Sequence, residues 1–331
     1  MARRFLQTIP TLVIISLILF IGMQAVPGGP LQAFALNPRM SQATKEAIIH
    51  RWGLDQPAYI QYVLWLKAML TGDWQTSFFL NRPVKGIIEN RLPATMILMI
   101  TAYVLQELIA LPAGLLAALK RYSFFDQFVT FFSYVGYSMP TFWLGLMLLL
   151  VFAVEFPIFP VSGIIDIRMT GAPFLTPQYG DWFHANPITG LLDIVHHVVL
   201  PATTIAIVGI AGDSRFMRAS MLDSIHQDYI RTARAKGLPE RVVVLKHALR
   251  NALLPVVTQI ALTLPTLFSG AVVTEAIYSW PGMGQLFFQA LAAYDYPLLM
   301  AIMVVSAGLI VVFNFFADIA YAWIDPRISY A

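Results

Sequence analysis

The sequence DYIRTARAKGLPERVVVLKHALRNALLP, residues 228–255, carries six of the chain's 21 Lys and Arg residues. The whole chain of 331 residues is 58% hydrophobic and only 12% charged, about half the charged fraction that is usual in a soluble domain. Six central cations would cost on the order of 15–20 kcal/mol in a membrane span, far more than the apolar residues between them return. This basic segment therefore lies outside the membrane, whereas the rest of the composition indicates a polytopic membrane protein.

Long apolar runs lie on both sides of the basic segment. A helix needs about 20 mostly apolar residues to cross the hydrocarbon core of a bilayer. The sequence therefore predicts an all-α fold with six transmembrane helices, at residues 9–26, 94–119, 128–153, 195–215, 252–277 and 298–323. The first run is longer than the apolar region of a cleaved signal peptide, which favours an uncleaved anchor over a removed leader.

The distribution of Lys and Arg in the short loops predicts the orientation of the chain. Arg3 and Arg4 precede the first apolar run, Lys120 and Arg121 join the second and third, and eight cations lie between residues 215 and 250. Since short cytoplasmic loops are enriched in these residues, we expect both termini and the basic segment to be cytoplasmic.

Three regions follow from this topology. Residues 1–27 form a cytoplasmic start and the first transmembrane helix, residues 28–93 an external segment, and residues 94–331 a five-helix core that includes a cytoplasmic loop at 219–251. The external segment holds two stretches with helix start and stop signals, SQATKEAIIHRWG and QPAYIQYVLWLKAML. They predict two short helices against the outer leaflet, and a loop without regular structure is the alternative.

The basic segment has the pattern of a helix, a turn and a second helix. Gly237 can end the first helix in a left-handed conformation, and Pro239 can start the second, which leads into the fifth apolar run. Small Ala233, Ala235 and Gly237 would let another surface approach closely, with Arg231 beside them. A contact with a cytoplasmic partner and a positively charged loop held by anionic lipid headgroups both remain open from these residues alone.

The stretch YIRTARAKGLPERVVVLKHALRNALLPVVT resembles the cytoplasmic coupling loop, or EAA motif, of ABC-importer permeases, in particular of the dipeptide/oligopeptide family. Ala233 and Gly237 match the Ala-x-x-x-Gly of that motif, while Arg231 replaces its leading Glu. The resemblance continues in VPGGP, NRLPATM, GYSMPTFWLG, TEAIYSWPGMG and DPRIS, over nearly the whole chain. Asp213 departs from the family pattern, which would place an apolar or basic residue there.

The resemblance implies a type I ABC importer-like permease in the plasma (inner) membrane of a prokaryote. Its implied partners are a second related permease subunit in a heterodimer, two cytoplasmic ATPase subunits, an extracytoplasmic solute-binding protein and membrane lipid. The residues implied to contact the ATPases are Tyr229, Arg231, Ala233, Arg234, Ala235, Gly237 and Leu238. Short peptides are the implied cargo, with nickel complexes, glutathione or oligosaccharides as alternatives.

The sequence lacks several motifs for nucleotide, metal and nucleic-acid binding, which limits the functions that this chain can have. No Gly-Lys dipeptide occurs, so the chain has no P-loop, and ATP with Mg²⁺ is expected only in the partner subunits. The chain has no Cys and no His-Glu-x-x-His motif, and dispersed loop cations do not indicate nucleic-acid binding. We therefore expect no catalytic residues, no metal site and no cofactor in this chain.

Several residues within or near the predicted spans are candidates for the transport pathway. Intramembrane carboxylates usually face a bundle interior or a water-filled cavity, where they contact substrate or pair structurally. The candidates for the pathway or its gate are Glu107, Met139, Pro140, Glu275, Trp280, Pro281 and Asp318. Met139–Pro140 is either a substrate clamp or a helix kink, and Trp280–Pro281 belongs either to an outer gate or to an interfacial cap.

A secondary transporter driven by an ion gradient is the alternative function. It predicts internal inverted repeats and several ionisable groups at the membrane midplane. The sequence has no evident repeat and few such groups.

Overall fold

The computed structural model describes residues 2–25, 46, 49–50, 53, 55–263 and 271–324. Its described part is mostly helical, with an isolated antiparallel bridge between Thr76 and Pro83. The helices before the basic segment are α1 (Ala2–Gln24), α2 (Ala58–Thr71), α3 (Val84–Leu119), α4 (Phe124–Ser138), α5 (Thr141–Leu149), α6 (Ile167–Thr170), α7 (Pro177–Ala185) and α8 (Pro187–Ile225). Those that follow are α9 (Asp228–Ala235), α10 (Glu240–Val242), α11 (Leu249–Thr263), α12 (Val272–Ile277), α13 (Met283–Ala292) and α14 (Tyr296–Ile324). Two π-helical turns, Leu150–Glu155 and Val243–Ala248, extend α5 and join α10 to α11.

In the described part of the chain, three helices are long and apolar enough to cross a membrane: α3, α8 and the Tyr296–Phe315 part of α14. A fourth candidate is the pair Phe124–Ser138 and Thr141–Glu155, which is bent by 102°. The predicted third span, residues 128–153, falls on this pair, and the chain bends within it at Met139–Pro140. Pro at the start of α5 lacks the N–H that would continue the hydrogen-bond ladder of α4.

The other predicted spans are matched to different extents. The first coincides with α1, whose shorter apolar stretch is Ile9–Gln24. The fifth is described as α11 and α12, with residues 264–270 outside the described part. Of the two short helices predicted within residues 28–93, α2 coincides with the second, whereas most of the first falls outside the described residues.

Helices α3 and α8 form the centre of the bundle and run parallel to each other. Near their starts, Ala94 of α3 shares a buried cluster with Val198 of α8. Near their ends, Ala118 shares another with Met221. A helix of 36 residues is about 54 Å long, so α3 exceeds the roughly 30 Å hydrocarbon core and projects from it.

The remaining elements distribute between the two ends of this helix pair. The basic segment packs at the end that holds Ala118 and Met221. At the opposite end α13 and the start of α14 pack on the start of α3 through Met283, Leu286 and Leu298. Helices α1, α2 and α14 join through a separate cluster of Phe20, Trp65, Tyr296 and Met300. The fold thus places the coupling candidates at one end of the bundle and the gate candidates Glu275, Trp280 and Pro281 at the other.

Candidate functional site

The basic segment folds as a helical elbow. Gly237 follows α9 with a φ of 74°, the left-handed region that glycine occupies at little cost. Its N–H donates to the Arg234 carbonyl at 2.9 Å, and the Leu238 N–H donates to the Ala233 carbonyl at 3.4 Å. Pro239 then precedes α10 as its N-cap residue, which confirms the predicted helix, turn and second helix.

The elbow has one buried side and one exposed side. Ile230 is 0% exposed and Ala233 5% exposed, and both pack against Met217, Met221 and Val243. Ala233 therefore permits close approach of the elbow to its own bundle. The residues on the exposed side are Tyr229, Arg231, Arg234, Ala235, Lys236, Gly237 and Leu238.

Arg234 and Glu240 bracket the turn from its two helices. The Arg234 guanidinium donates to the Glu240 carboxylate from Nε at 3.1 Å and from Nη2 at 2.7 Å. These hydrogen bonds lower the pKa of Glu240 from its ordinary value and raise that of Arg234. Arg231 instead pairs with Asp228 at 3.5 Å, with both side chains almost fully in solvent. Arg234 is therefore held in a fixed position, whereas Arg231 is not.

Hydrogen bonds fix the elbow to the helices on either side of it. Ser224 Oγ, near the end of α8, donates to the Ala248 carbonyl at 2.8 Å and lies 2.7 Å from the Tyr229 hydroxyl. One turn earlier Ser220 Oγ donates to the Ala252 carbonyl of α11 at 2.8 Å. Tyr229 therefore links α9 to α8, and Ser220 and Ser224 link α8 to the chain that follows the turn.

Glu275, at the other end of the bundle, has a buried and fully bonded carboxylate. It is 0% exposed and accepts from Thr95 Oγ1 at 3.0 Å and from the Gln285 N–H at 3.0 Å. Because Gln285 lies in the first turn of α13, the carboxylate supplies an acceptor for a helix N-terminus whose own N-cap residue, Gly282, has no side chain. Thr95 Oγ1 also accepts from the Met283 N–H at 2.7 Å, so α12, α13 and α3 meet at this point.

Trp280 and Pro281 lie between α12 and α13, in the segment that follows Glu275. Trp280 is 0% exposed, and its Nε1 donates to the Ala94 carbonyl at 2.8 Å. Tyr278, just before it, donates from its hydroxyl to the Gly145 carbonyl of α5 at 2.9 Å. We name residues 272–285 the re-entrant cap, since they turn back on α3 and tie it to α5.

Glu107 lies within α3 in a polar cluster with a neighbouring helix. Gln106 Nε2 donates to Glu107 Oε1 at 3.3 Å and also to the Asp213 carboxylate of α8. Glu107 and Asp213 each stand out in the sequence, but their connection through Gln106 was not predicted. An amide and two acidic residues inside predicted spans were the available signal.

The last pathway candidates lie apart from this cluster. Met139 and Pro140 form the break between α4 and α5, with Met139 in an extended conformation. Asp318 is in α14, and its side chain lies outside the described part of the chain.

Two buried polar contacts went unnoticed in the sequence. Asp126 at the start of α4 accepts from Arg218 of α8 at 2.6 and 2.8 Å. Asp295, just before α14, is 0% exposed and accepts from Ser77 Oγ and from the Phe79 N–H at 3.0 Å. Their only sequence signal was a carboxylate next to an apolar run.

Together these features define a helical membrane protein with a structured basic elbow at one end. The chain matches two family models: the binding-protein-dependent transport system inner membrane component over residues 110–330, and the N-terminal part of such membrane components over residues 1–99. The chain belongs to this family of inner-membrane transport components.

Relatives along the full length agree with this assignment. The chain is 42% identical to the oligopeptide transport system permease protein AppB of Bacillus subtilis, over 99% of its own length and 98% of the relative's. With the same coverage it is 37% identical to the di/tripeptide permease DppB of Pseudomonas aeruginosa and 36% identical to the dipeptide permease DppB of Escherichia coli. The protein is thus a multi-pass permease of a bacterial inner membrane and a transport component rather than an enzyme. The family implies a binding protein and an ATPase as its partners.

Proposed function

We propose that this chain forms half of the translocation pathway of an ATP-driven importer for short peptides. The names of full-length relatives, which specify oligopeptides, di/tripeptides and dipeptides, are the observation that carries this cargo assignment. The other half of the pathway is a second, related but non-identical permease. Two ATPase subunits bind on the cytoplasmic side, and an external binding protein delivers the cargo.

The full topology belongs to the same proposal. With the bent pair counted as one span, the described part has four candidate spans, and α1 and the fifth apolar run bring the number to six, with both termini in the cytoplasm. In this arrangement residues 1–27, 28–93 and 94–331 are the anchor, the external segment and the permease core. The basic elbow then faces the ATPases, and the re-entrant cap faces the binding protein.

The elbow couples ATP hydrolysis to the pathway in this proposal. The ATPases contact its exposed side, from Tyr229 through Arg231, Arg234 and Ala235 to Gly237 and Leu238, while Ala233 holds the elbow on the bundle. The contact between Tyr229 and Ser224 supports this role, because it passes a movement of α9 to α8, which is bonded in turn to residues 248 and 252. Such coupling needs two arrangements of the helices that ATP and cargo favour differently.

The opposite end and the middle of the bundle provide the pathway. Glu107 lies along it, Met139 and Pro140 let α4 and α5 change their angle, and Asp318 lies on α14. The cap residues Glu275, Trp280 and Pro281 form the rigid frame of the outer gate. The complete burial of Glu275 and Trp280, and the hydrogen bond from Trp280 to α3, support this assignment.

Reconstitution of the whole transporter tests the proposal. Proteoliposomes are made with both permeases and both ATPases, and the binding protein is added outside. They should accumulate a labelled dipeptide only when ATP is present in the lumen, on the side of the ATPases. Competition with unlabelled tripeptide, glutathione, a nickel complex and an oligosaccharide identifies the cargo class. Uptake that the isolated chain drives from an ion gradient would instead establish a secondary transporter.

A further inference from the structure

A cavity of about 430 Å³ opens at the end of the bundle opposite the elbow. Its walls come from the start of α3 with the residues before it, from the loop at 163–176, and from Ser279 and Pro281 of the re-entrant cap. All three segments lie on the side that the distribution of Lys and Arg places outside the cell. The volume falls in the range of about 300–1,000 Å³ that is usual for sites of small ligands.

Two arginines and an amide line this cavity without an anionic partner. Arg82, Asn90 and Arg91 are on its wall, and Arg91 is partly buried. Among the described residues no carboxylate oxygen lies within 4 Å of either guanidinium. Within the described part of the chain, the Arg91 guanidinium makes one long hydrogen bond, at 3.4 Å, to the neutral amide of Gln285.

Glu275 is the acidic group that acts on Arg91 electrostatically. Its oxygens accept from Thr95 Oγ1 and from the Gln285 N–H, and no hydrogen bond joins them to the Arg91 guanidinium in the described part of the chain. A partly buried guanidinium with unused donors is costly unless an anion completes its hydrogen bonds.

The opposite wall is apolar and held in an unusual backbone conformation. Leu175 and Ser279 both line the cavity with positive φ, at 62° and 48°. Such conformations are rare for residues other than glycine and cluster at ligand sites. The Gly163 N–H donates to the Tyr278 carbonyl at 3.0 Å, which fixes the loop to the cap. The cavity is therefore a shaped pocket with cations on one side and Ile164, Phe174 and Leu175 on the other.

We propose that this pocket binds the C-terminal residue of a short peptide at the outer mouth of the permease. Arg82 and Arg91 hold the terminal carboxylate, Asn90 donates to it, and the apolar wall takes the last side chain. The proposal rests on the proposed peptide cargo and adds a site for it in the permease itself. A carboxylate suits the pocket because guanidinium and carboxylate form short, charge-assisted hydrogen bonds.

Ligand-observed NMR on the complete transporter in lipid nanodiscs, without the binding protein, tests this proposal. The probes are the dipeptide Ala-Phe and its C-terminal amide. The test variants are Arg82→Gln and Arg91→Gln. The controls are Lys85→Gln and Arg168→Gln. They remove exposed cations from the start of α3 and from residues 163–176, at positions that do not line the pocket. Because Arg82 is exposed, its variant folds even if that of Arg91 does not.

We expect Ala-Phe to bind and its amide to bind about tenfold more weakly, the loss that one charge-assisted hydrogen bond brings. Both test variants should lose affinity for Ala-Phe by about tenfold or more, and both controls should stay within about twofold. Equal binding of acid and amide, or unchanged affinity in Arg82→Gln, overturns the site.

Two further measurements complete the test. Capture of the binding protein distinguishes a peptide site from a contact with that protein, and peptide uptake distinguishes a failure of the pocket proposal from a failure of the proposed function. If both test variants retain Ala-Phe binding but lose capture of the binding protein, the pocket takes a carboxylate of that protein and the proposal is wrong. Uptake by the wild-type transporter is measured in parallel. Absence of peptide uptake contradicts the proposed function, whereas normal uptake with no difference between acid and amide contradicts the pocket alone.

Discussion

Arg218 donates two hydrogen bonds to the Asp126 carboxylate, from Nε at 2.6 Å and from Nη2 at 2.8 Å. The same carboxylate accepts from the Tyr122 N–H at 2.9 Å, just before α4 begins. The pair therefore joins the turn after α3 to the last part of α8. The Asp126 side chain is only 5% exposed with Arg218 in place, so its carboxylate depends on protein groups for most of its hydrogen bonds.

Removal of either partner should destabilise the protein. We expect Asp126→Ala and Arg218→Ala each to lower the free energy of unfolding by roughly 1.5–3 kcal/mol. The double variant should lose clearly less than the sum, because the two side chains act as one unit. Unfolding in mixed detergent micelles measures these differences.

The exposed pair Asp228 and Arg231 provides the matched control. Its side chains are 94% and 82% exposed, so the corresponding alanine variants should change stability by about 0.5 kcal/mol or less. Strict additivity of Asp126→Ala and Arg218→Ala would mean that the two residues stabilise the protein independently.

The turn at Gly237 should tolerate Asn but not Val. With a φ of 74°, a residue with a Cβ costs roughly 1–2 kcal/mol, and a β-branched one more. No atom lies within 4 Å of an added Cβ, so the penalty comes from the backbone and not from a collision. We expect Gly237→Val to populate the native turn about five- to thirtyfold less, and to reduce stimulation of the ATPase by cargo-loaded binding protein.

Gly237→Asn is the control, because Asn adopts the left-handed conformation more readily than other residues. It should retain most of the stimulated ATPase activity. Full stimulation in Gly237→Val would show that coupling does not need this turn.

This turn was predictable from sequence, whereas the contacts that hold the bundle together were not. Gly237 and Pro239 signal their conformation through their own backbone chemistry, without reference to distant residues. Asp126 and Arg218 are 92 positions apart, and Thr95 and Glu275 are 180 apart. No local pattern selects one partner among several polar residues at such separations.

The spans show the same division between local and long-range information. Apolar runs located α3, α8 and α14, because burial in lipid depends on composition over about 20 residues. Pro140 signalled a break in the third run, but the 102° angle depends on how α5 packs on α8 and α12. Likewise the small side chain of Ala233 indicates a contact surface. Only the buried cluster that it shares with Ile230 and Met221 shows that Ala233 faces the bundle.

Arg234 requires a test that separates its two roles. Arg234→Glu places two carboxylates at the turn, and it removes the guanidinium that holds the pKa of Glu240 below its ordinary value. We expect this variant to weaken co-purification of the ATPase subunits. A second variant, Arg234→Glu with Glu240→Arg, restores an ion pair with reversed polarity across the same turn.

The proposed ATPase contact predicts that the reversed pair does not restore co-purification, since the charge offered at position 234 is still wrong. The measurement is the ATPase retained on the affinity-purified permease at moderate salt. Full recovery in the reversed pair would assign Arg234 to the turn alone. Lys236→Glu, which changes a neighbouring exposed cation outside the Arg234–Glu240 pair, controls for the general effect of charge.

Gly282 is the position at which the re-entrant cap should be least tolerant of change. A Cβ there would lie 2.4 Å from Glu275 Oε2 and 2.5 Å from Thr95 Oγ1, the two side chains that join α12 to α3. Neither can move away without leaving a buried N–H of α13 unsatisfied, which costs about 1–3 kcal/mol for each group. We therefore expect Gly282→Ala to lower the free energy of unfolding by roughly 2–4 kcal/mol.

Gly86→Ala is the control for Gly282→Ala, because its added Cβ meets no atom within 4 Å and it lies in the helical first turns of α3. It should be neutral or slightly stabilising, since alanine favours helix over glycine by about 1 kcal/mol. Thr95→Val should reproduce part of the Gly282→Ala defect, because it removes both the donor to Glu275 and the acceptor for the Met283 N–H. If Gly282→Ala and Gly86→Ala unfold at the same detergent composition, Glu275 does not hold the cap in the way these contacts require. If Gly282→Ala alone is unstable while Thr95→Val is not, the carboxylate holds α13 without the hydroxyl, through the Gln285 N–H.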